Sequence, residues 1–188
     1  NPVYRKGEKF ILLYTGTFVA VQNLELLYRT MVELKNENVE LILIGGMKRE
    51  LEVERIKIEK LGIGSRILLY PRMAQDDLRP YYEQAHLVVS PREFGHDTPM
   101  KIFDYLNYGK CILATRRPIH ADILDDDNSI LAEPDALSFA AAIRNLMNKP
   151  GNIAQKGERA KKYFNDNLDF KYMLQKYKDL FDSLESNG

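Results

Sequence analysis

Six short apolar runs punctuate the chain: Phe10–Tyr14, Val39–Ile44, Arg66–Tyr70, His86–Val89, Cys111–Thr115 and Ser129–Ala132. The first is continuously apolar rather than alternating and ends at Thr15-Gly16; the second repeats the strand signal and ends at Gly45-Gly46. This is the pattern of strands covered on both faces. Helical patterns separate the runs. Asn23 can cap a helix whose apolar positions Leu24, Leu27, Met31 and Leu34 recur at three- and four-residue spacing. Lys48 to Lys60 holds nine charged residues in thirteen, so this helix is expected to be mostly solvated, with Gly62 as its stop. A third helix is expected over Gln75–Ala85, with Asp76 and Asp77 favouring its start and Pro80 in its first turn. A fourth opens at Thr98, read as N-cap, with Pro99 in the first helical position. A loop is expected over Arg116–Asp127. From Asp135 on the pattern is helical: a stripe of Leu137, Ala140, Ala141, Ile143 and Leu146 ends at Pro150-Gly151, a second helix runs to about Phe164, and a last amphipathic one spans Phe170–Leu184.

Strands alternating with helices predict an α/β fold, a Rossmann-like doubly wound parallel sheet of about six strands with helices on both faces and further helices at the C-terminus. The order 3-2-1-4-5-6 puts strands one and four side by side, with ligands binding beyond their carboxyl ends. The loops there are Gly16–Gln22 and Ser90–Pro99. At 188 residues, the chain is expected to form one domain over 1–188.

Composition narrows the function by exclusion. Lys plus Arg and Asp plus Glu each number 27, so no net charge points to nucleic acid or an acidic membrane surface. The single cysteine, Cys111, excludes an internal disulfide framework. No apolar stretch approaches the roughly 20 residues of a membrane-spanning helix, and no secretory signal opens the chain, so the expectation is a cytoplasmic domain. A start at Asn1-Pro2 fits a processed product or a piece of a longer protein. Dinucleotide and P-loop fingerprints are missing, as is zinc-ligand spacing. The acidic turn Asp125-Asp126-Asp127-Asn128 reads as solvated rather than metal-binding.

The candidate chemistry lies in Ser90–Gly109. A helix mouth at Thr98 would offer free backbone N–H groups and the positive end of the dipole to an anion such as phosphate. Lys101 and Asp104 lie three apart on one face, while Ile102, Phe103 and Leu106 can pack on the sheet. His96, in the loop beside Asp97, can orient a hydroxyl or donate to a phosphate oxygen. His86 and His120 read as structural, Glu93 as an alternative carboxylate, and Arg72, just after the third strand, falls where folds of this order often seat a nucleobase.

The run His96-Asp97-Thr98-Pro99-Met100-Lys101-Ile102-Phe103-Asp104-Tyr105, followed by Gly109, resembles the helix mouth of family 4 (group 1) retaining glycosyltransferases with the GT-B fold, where two glutamates flank seven residues. The similarity continues in Gly16–Asn23, which looks like that family's G-R-L-x-x-x-K-G loop, in Ile42–Gly46, and in Pro118-Ile119-His120 with Asp127-Asn128. It implies the C-terminal, donor-binding half of a glycosyltransferase that moves a sugar from a nucleotide-diphosphate sugar with retention, without metal or other cofactor. The N-terminal acceptor half would be a partner absent from this chain, any membrane association would come through it, and the isolated domain would be inactive alone.

By position the resemblance makes His96 catalytic and Gly16, Thr17, Gln22, Asp97, Thr98, Met100, Lys101 and Asp104 donor-binding, with Asp104 on the ribose hydroxyls. The chain departs from the family in four places: His96 and Asp104 replace the glutamates, and Thr17 and Gln22 stand where arginine and lysine neutralise the diphosphate. Two lost charged hydrogen bonds would cost about 3–6 kcal/mol. The expectation is that Lys101, helped by Arg92, Arg116 or Arg117, restores that charge. The same departures motivate the alternative of a catalytically silent binding module. A nucleotide-sugar epimerase on this fold fits the helix-mouth frame less well.

Overall fold

The computed structural model of the chain describes residues 2–95 and 97–169. Six strands form one all-parallel sheet: β1 (Phe10–Thr15), β2 (Val39–Gly46), β3 (Ile67–Pro71), β4 (Leu87–Ser90), β5 (Ile112–Thr115) and β6 (Ile130–Ala132). Their order is β3-β2-β1-β4-β5-β6, the doubly wound order that the alternation of elements predicts.

The continuous apolar runs are explained by two cores. Along β1, Phe10, Leu12 and Tyr14 point to one face and Leu13 to the other; β2 repeats this with Leu41 and Leu43 against Ile42 and Ile44. From Leu12 and from Leu41 onward every successive side chain is buried, so no polar alternation is needed. The helices α1 (Leu24–Glu33), α2 (Lys48–Lys60) and α6 (Ala136–Asn148) cover the first face with Leu27, Met31, Ile58, Phe139 and Ile143. The second is covered by α3 (Arg79–Gln84) and α4 (Lys101–Asn107) through Tyr82, Ile102, Tyr105 and Leu106. The last described helix, α7 (Gly151–Asn167), contributes Ile153 to the first core and Ala160 to the second.

Several local expectations are corrected. Asn23 does not cap α1 with its side chain: it sits in the left-handed region at φ 53°, and its amide donates instead to the Glu93 carboxylate. Pro80 and a tight turn over Asp76–Leu78 confine the third helix to Arg79–Gln84. The fourth helix starts at Lys101, not after a Thr98 cap, because its entry is wound three residues per turn: Ile102 N–H bonds to Pro99 O at 2.9 Å and Phe103 N–H to Met100 O at 3.1 Å. The loop expected over Arg116–Asp127 contains a short helix, α5 (Pro118–Ala121). The stripe on Phe170–Leu184 lies outside the described residues. Among the described residues, no helix is long and apolar enough to cross a membrane.

Candidate functional site

Beyond the carboxyl ends of β1 and β4 the sheet opens into a cleft of about 850 Å³. Four stretches line it: Thr15–Thr17 with Gln22 after β1, Ile44-Gly45 at the end of β2, Arg72–Gln75 with Leu78 after β3, and Arg92 with Pro99–Lys101 and Asp104 around α4. Of the residues expected to bind a donor, Gly16, Thr17, Gln22, Met100, Lys101 and Asp104 are thus brought together. Asp97 and Thr98 are not in this lining, and Asp97 is exposed on the loop. His96 lies outside the described residues.

Glycine makes the cleft possible. Gly16 (φ 134°) and Gly45 (φ 139°) end neighbouring strands, and a Cβ on Gly45 would stand 2.1 Å from the Gly16 carbonyl oxygen. The two loops press together more closely than any side chain allows.

Lys101 reaches down from α4 to the same spot. It is only 8% exposed, and its ammonium donates to Gln22 Oε1 at 2.8 Å while lying 3.7 Å from the centre of the Tyr14 ring. A Cβ on Gly16 would meet Nζ at 2.9 Å, so the amine rests against the β1 loop. Burial, reinforced by the Arg92 guanidinium, holds the amine well below the ordinary lysine range. Gln22 Oε1 also takes a contact from the Tyr14 hydroxyl at 3.2 Å, and that hydroxyl donates to Thr17 O at 2.8 Å. Donation from Lys101 Nζ to Oε1 fixes the Gln22 amide with its oxygen inward. One turn along α4, the half-buried Asp104 carboxyl is pushed above the usual range by burial, with the Gln75 side chain pulling the other way.

A hydroxyl network that the sequence pattern does not announce lies beneath the floor. The Tyr105 hydroxyl accepts from Thr15 N–H at 3.1 Å, and the Thr15 and Tyr82 hydroxyls lie 3.1 Å apart, locking the end of β1 to α4 and α3. The sequence signal for it was Tyr105 beside Asp104. His120 is buried, as a structural histidine would be. Its Nδ1–H donates to Thr115 O at 3.0 Å and its Nε2 accepts from the Ser90 hydroxyl at 2.9 Å, while Thr115 Oγ1 donates to Arg92 O. Burial lowers its pKa to about 4, keeping it neutral.

Of the three arginines expected to help Lys101, only Arg92 lines the cleft. Arg116 pairs with Asp126 at 2.9 Å and Arg117 with Glu133 at 3.2 Å, which draws both away. Glu93 faces Asn23 rather than the cleft. Arg72, proposed near a base, does line it. In the acidic turn the Asp125 carboxylate accepts from the N–H groups of Asp127 and Asn128 at 2.8 and 2.9 Å, and Asp127 pairs with Arg159. Among the described residues, no three His, Cys, Asp or Glu side chains gather as a metal site.

The family profile described as glycosyl transferases group 1 matches residues 9–149, three quarters of the sequence, and the chain belongs to that family. Solved structures share its fold. Sucrose-phosphate synthase from Thermosynechococcus elongatus aligns with a TM-score of 0.80 at 18% identity, over 96% of this chain and 47% of that one. Anabaena HepE in complex with UDP aligns with a TM-score of 0.81 at 16% identity, over 93% and 49%. The C-terminal domain of a group 1 glycosyl transferase (LpcC) from Francisella tularensis gives 0.73 at 15% identity, over 86% and 87%. The chain spans about half the length of the first two. No curated protein sequence matches it.

Proposed function

We propose that this chain is the donor-binding half of a retaining glycosyltransferase, taking a nucleotide-diphosphate sugar and working with an N-terminal acceptor half of the same polypeptide. The carrying observation is the cleft at the β1/β4 switch point, which holds a buried amine, Lys101, with no acidic partner among the described residues. HepE, the same fold, is described in complex with UDP and with UDP-glucose, and that supports a nucleoside diphosphate as the ligand.

In this reading the diphosphate lies over Gly16 and Thr17 against Lys101 and Arg92. Asp104 takes the ribose hydroxyls, and His96 approaches the sugar by its place in the family frame. Asp97, Thr98 and Met100 border the same loop. Negative charge grows on the leaving diphosphate as the glycosyl bond breaks, and cations fixed in advance stabilise it without reorganising. This division of labour needs no metal. The acceptor half closes over the cleft and excludes water, so the chain alone binds donor weakly and transfers nothing. The compartment we propose is the cytoplasm.

Calorimetric titration of the chain with uridine, guanosine and adenosine diphosphates and their sugar conjugates tests this. At least one is expected to bind. Silence from all of them would favour a catalytically inactive binding module, the reading that the altered residues Thr17, Gln22, His96 and Asp104 would then support.

A further inference from the structure

We infer that Lys101 is the residue that couples diphosphate binding to proton uptake, with Nζ the atom that gains the proton as the anion arrives. This rests on the donor-binding reading above and deepens it. Gln22, which looks like a lost cation in the sequence, becomes the arm that positions a different one.

The geometry carries the argument. The amine is buried, yet its partners among the described residues are an amide oxygen at 2.8 Å and the face of a phenol ring at 3.7 Å, neither of them acidic. The amide dipole and the ring quadrupole orient an amine but do not replace the water it gave up. The groups facing it do not supply the missing charge. From β1 comes Tyr14, whose own ionisation burial opposes; from the segment after β4 comes the Arg92 guanidinium; from α5 comes His120, neutral above pH 4. On α4 itself, Asp104 is a turn away and not within ion-pair distance, and the Tyr105 hydroxyl is occupied by Thr15. Burial and a like charge both depress the amine. A ligand carrying two or three negative charges at the Gly16 turn reverses both influences.

Linkage then sets the sign. Where the free amine is partly deprotonated and the bound one is charged, binding takes up as much as one proton, and affinity falls by up to about tenfold per pH unit as pH rises. A diphosphate monoester does not mimic this above pH 7.5, because its terminal phosphate ionises near 6.

The experiment is calorimetry of the chain with uridine diphosphate and with methyl diphosphate between pH 7.5 and 9, in paired buffers of different ionisation enthalpy. The wild type is expected to take up a substantial fraction of a proton. Lys101→Arg, whose guanidinium does not titrate here, should bind without uptake, and Lys101→Met should bind at least tenfold more weakly, also without uptake. Uptake that persists in Lys101→Met overturns the inference, as does binding by the wild type that is independent of pH; either leaves the donor-binding reading standing. Failure of both anions to bind the wild type overturns both. A ¹³C-methyl titration of the free chain gives a second readout: a Lys101 midpoint at the ordinary value of about 10.4 would also overturn the inference.

Discussion

Two lysines, nine positions apart in sequence, are buried at opposite ends of this sheet. Lys101 is 8% exposed at the carboxyl end, and Lys110, 2% exposed, precedes β5 at the amino end. Burial depresses both amines, Lys110 to about 8, with Cys111 and Glu83 pulling the other way. What separates them is their surroundings. Lys110 has a carboxylate in range and belongs to packing, whereas Lys101 faces a cleft, a second cation and a turn of glycine backbone. A buried charge is therefore informative only when a ligand-sized space opens onto it.

Four measurements break or sharpen this contrast. The largest effect is expected at Lys110. Its folded value of about 8 lies below the ordinary 10.5, so between those values the unfolded chain binds more protons and stability rises with pH. Urea unfolding should show the wild type gaining up to about 3 kcal/mol relative to Lys110→Met across that window. Diphosphate affinity should not change in this variant. Next comes Lys101→Met, expected to weaken diphosphate binding by about 1.5–3 kcal/mol at pH 7 while folding normally. Equal affinities for the two Met variants would erase the distinction. Third, Tyr105→Phe removes the acceptor for Thr15 N–H and should destabilise the fold by about 1–2 kcal/mol in denaturant titration. The smallest effect is expected at Asp126→Asn, which breaks an exposed pair with Arg116 and should cost less than about 0.5 kcal/mol in the same assay.

The sheet was legible because burial on both faces leaves long apolar runs, and because crossover handedness leaves few orders for them. The cleft followed from that order. What was hidden depends on residues distant in sequence. Gln22 and Lys101 are 79 positions apart, so Gln22 looked like a missing cation when its amide is a holder for one. Arg116 and Arg117 looked available because nothing local announces their partners at Asp126 and Glu133. The start of α4 was misplaced for a local reason: Thr98-Pro99 is a strong capping signal, but the tight turn through Pro99 and Met100 delays the helix to Lys101. Asn23 capping failed because a left-handed backbone aimed its amide at Glu93.

The family match ends at residue 149, yet α7 begins at Gly151 and inserts Ile153 into one core and Ala160 into the other. This helix works as a buckle joining the two halves of the sandwich. A chain clipped at the family boundary would keep every cleft residue and still expose apolar surface on both sides of the sheet, so shortening from that end is expected to cost solubility before it costs recognition.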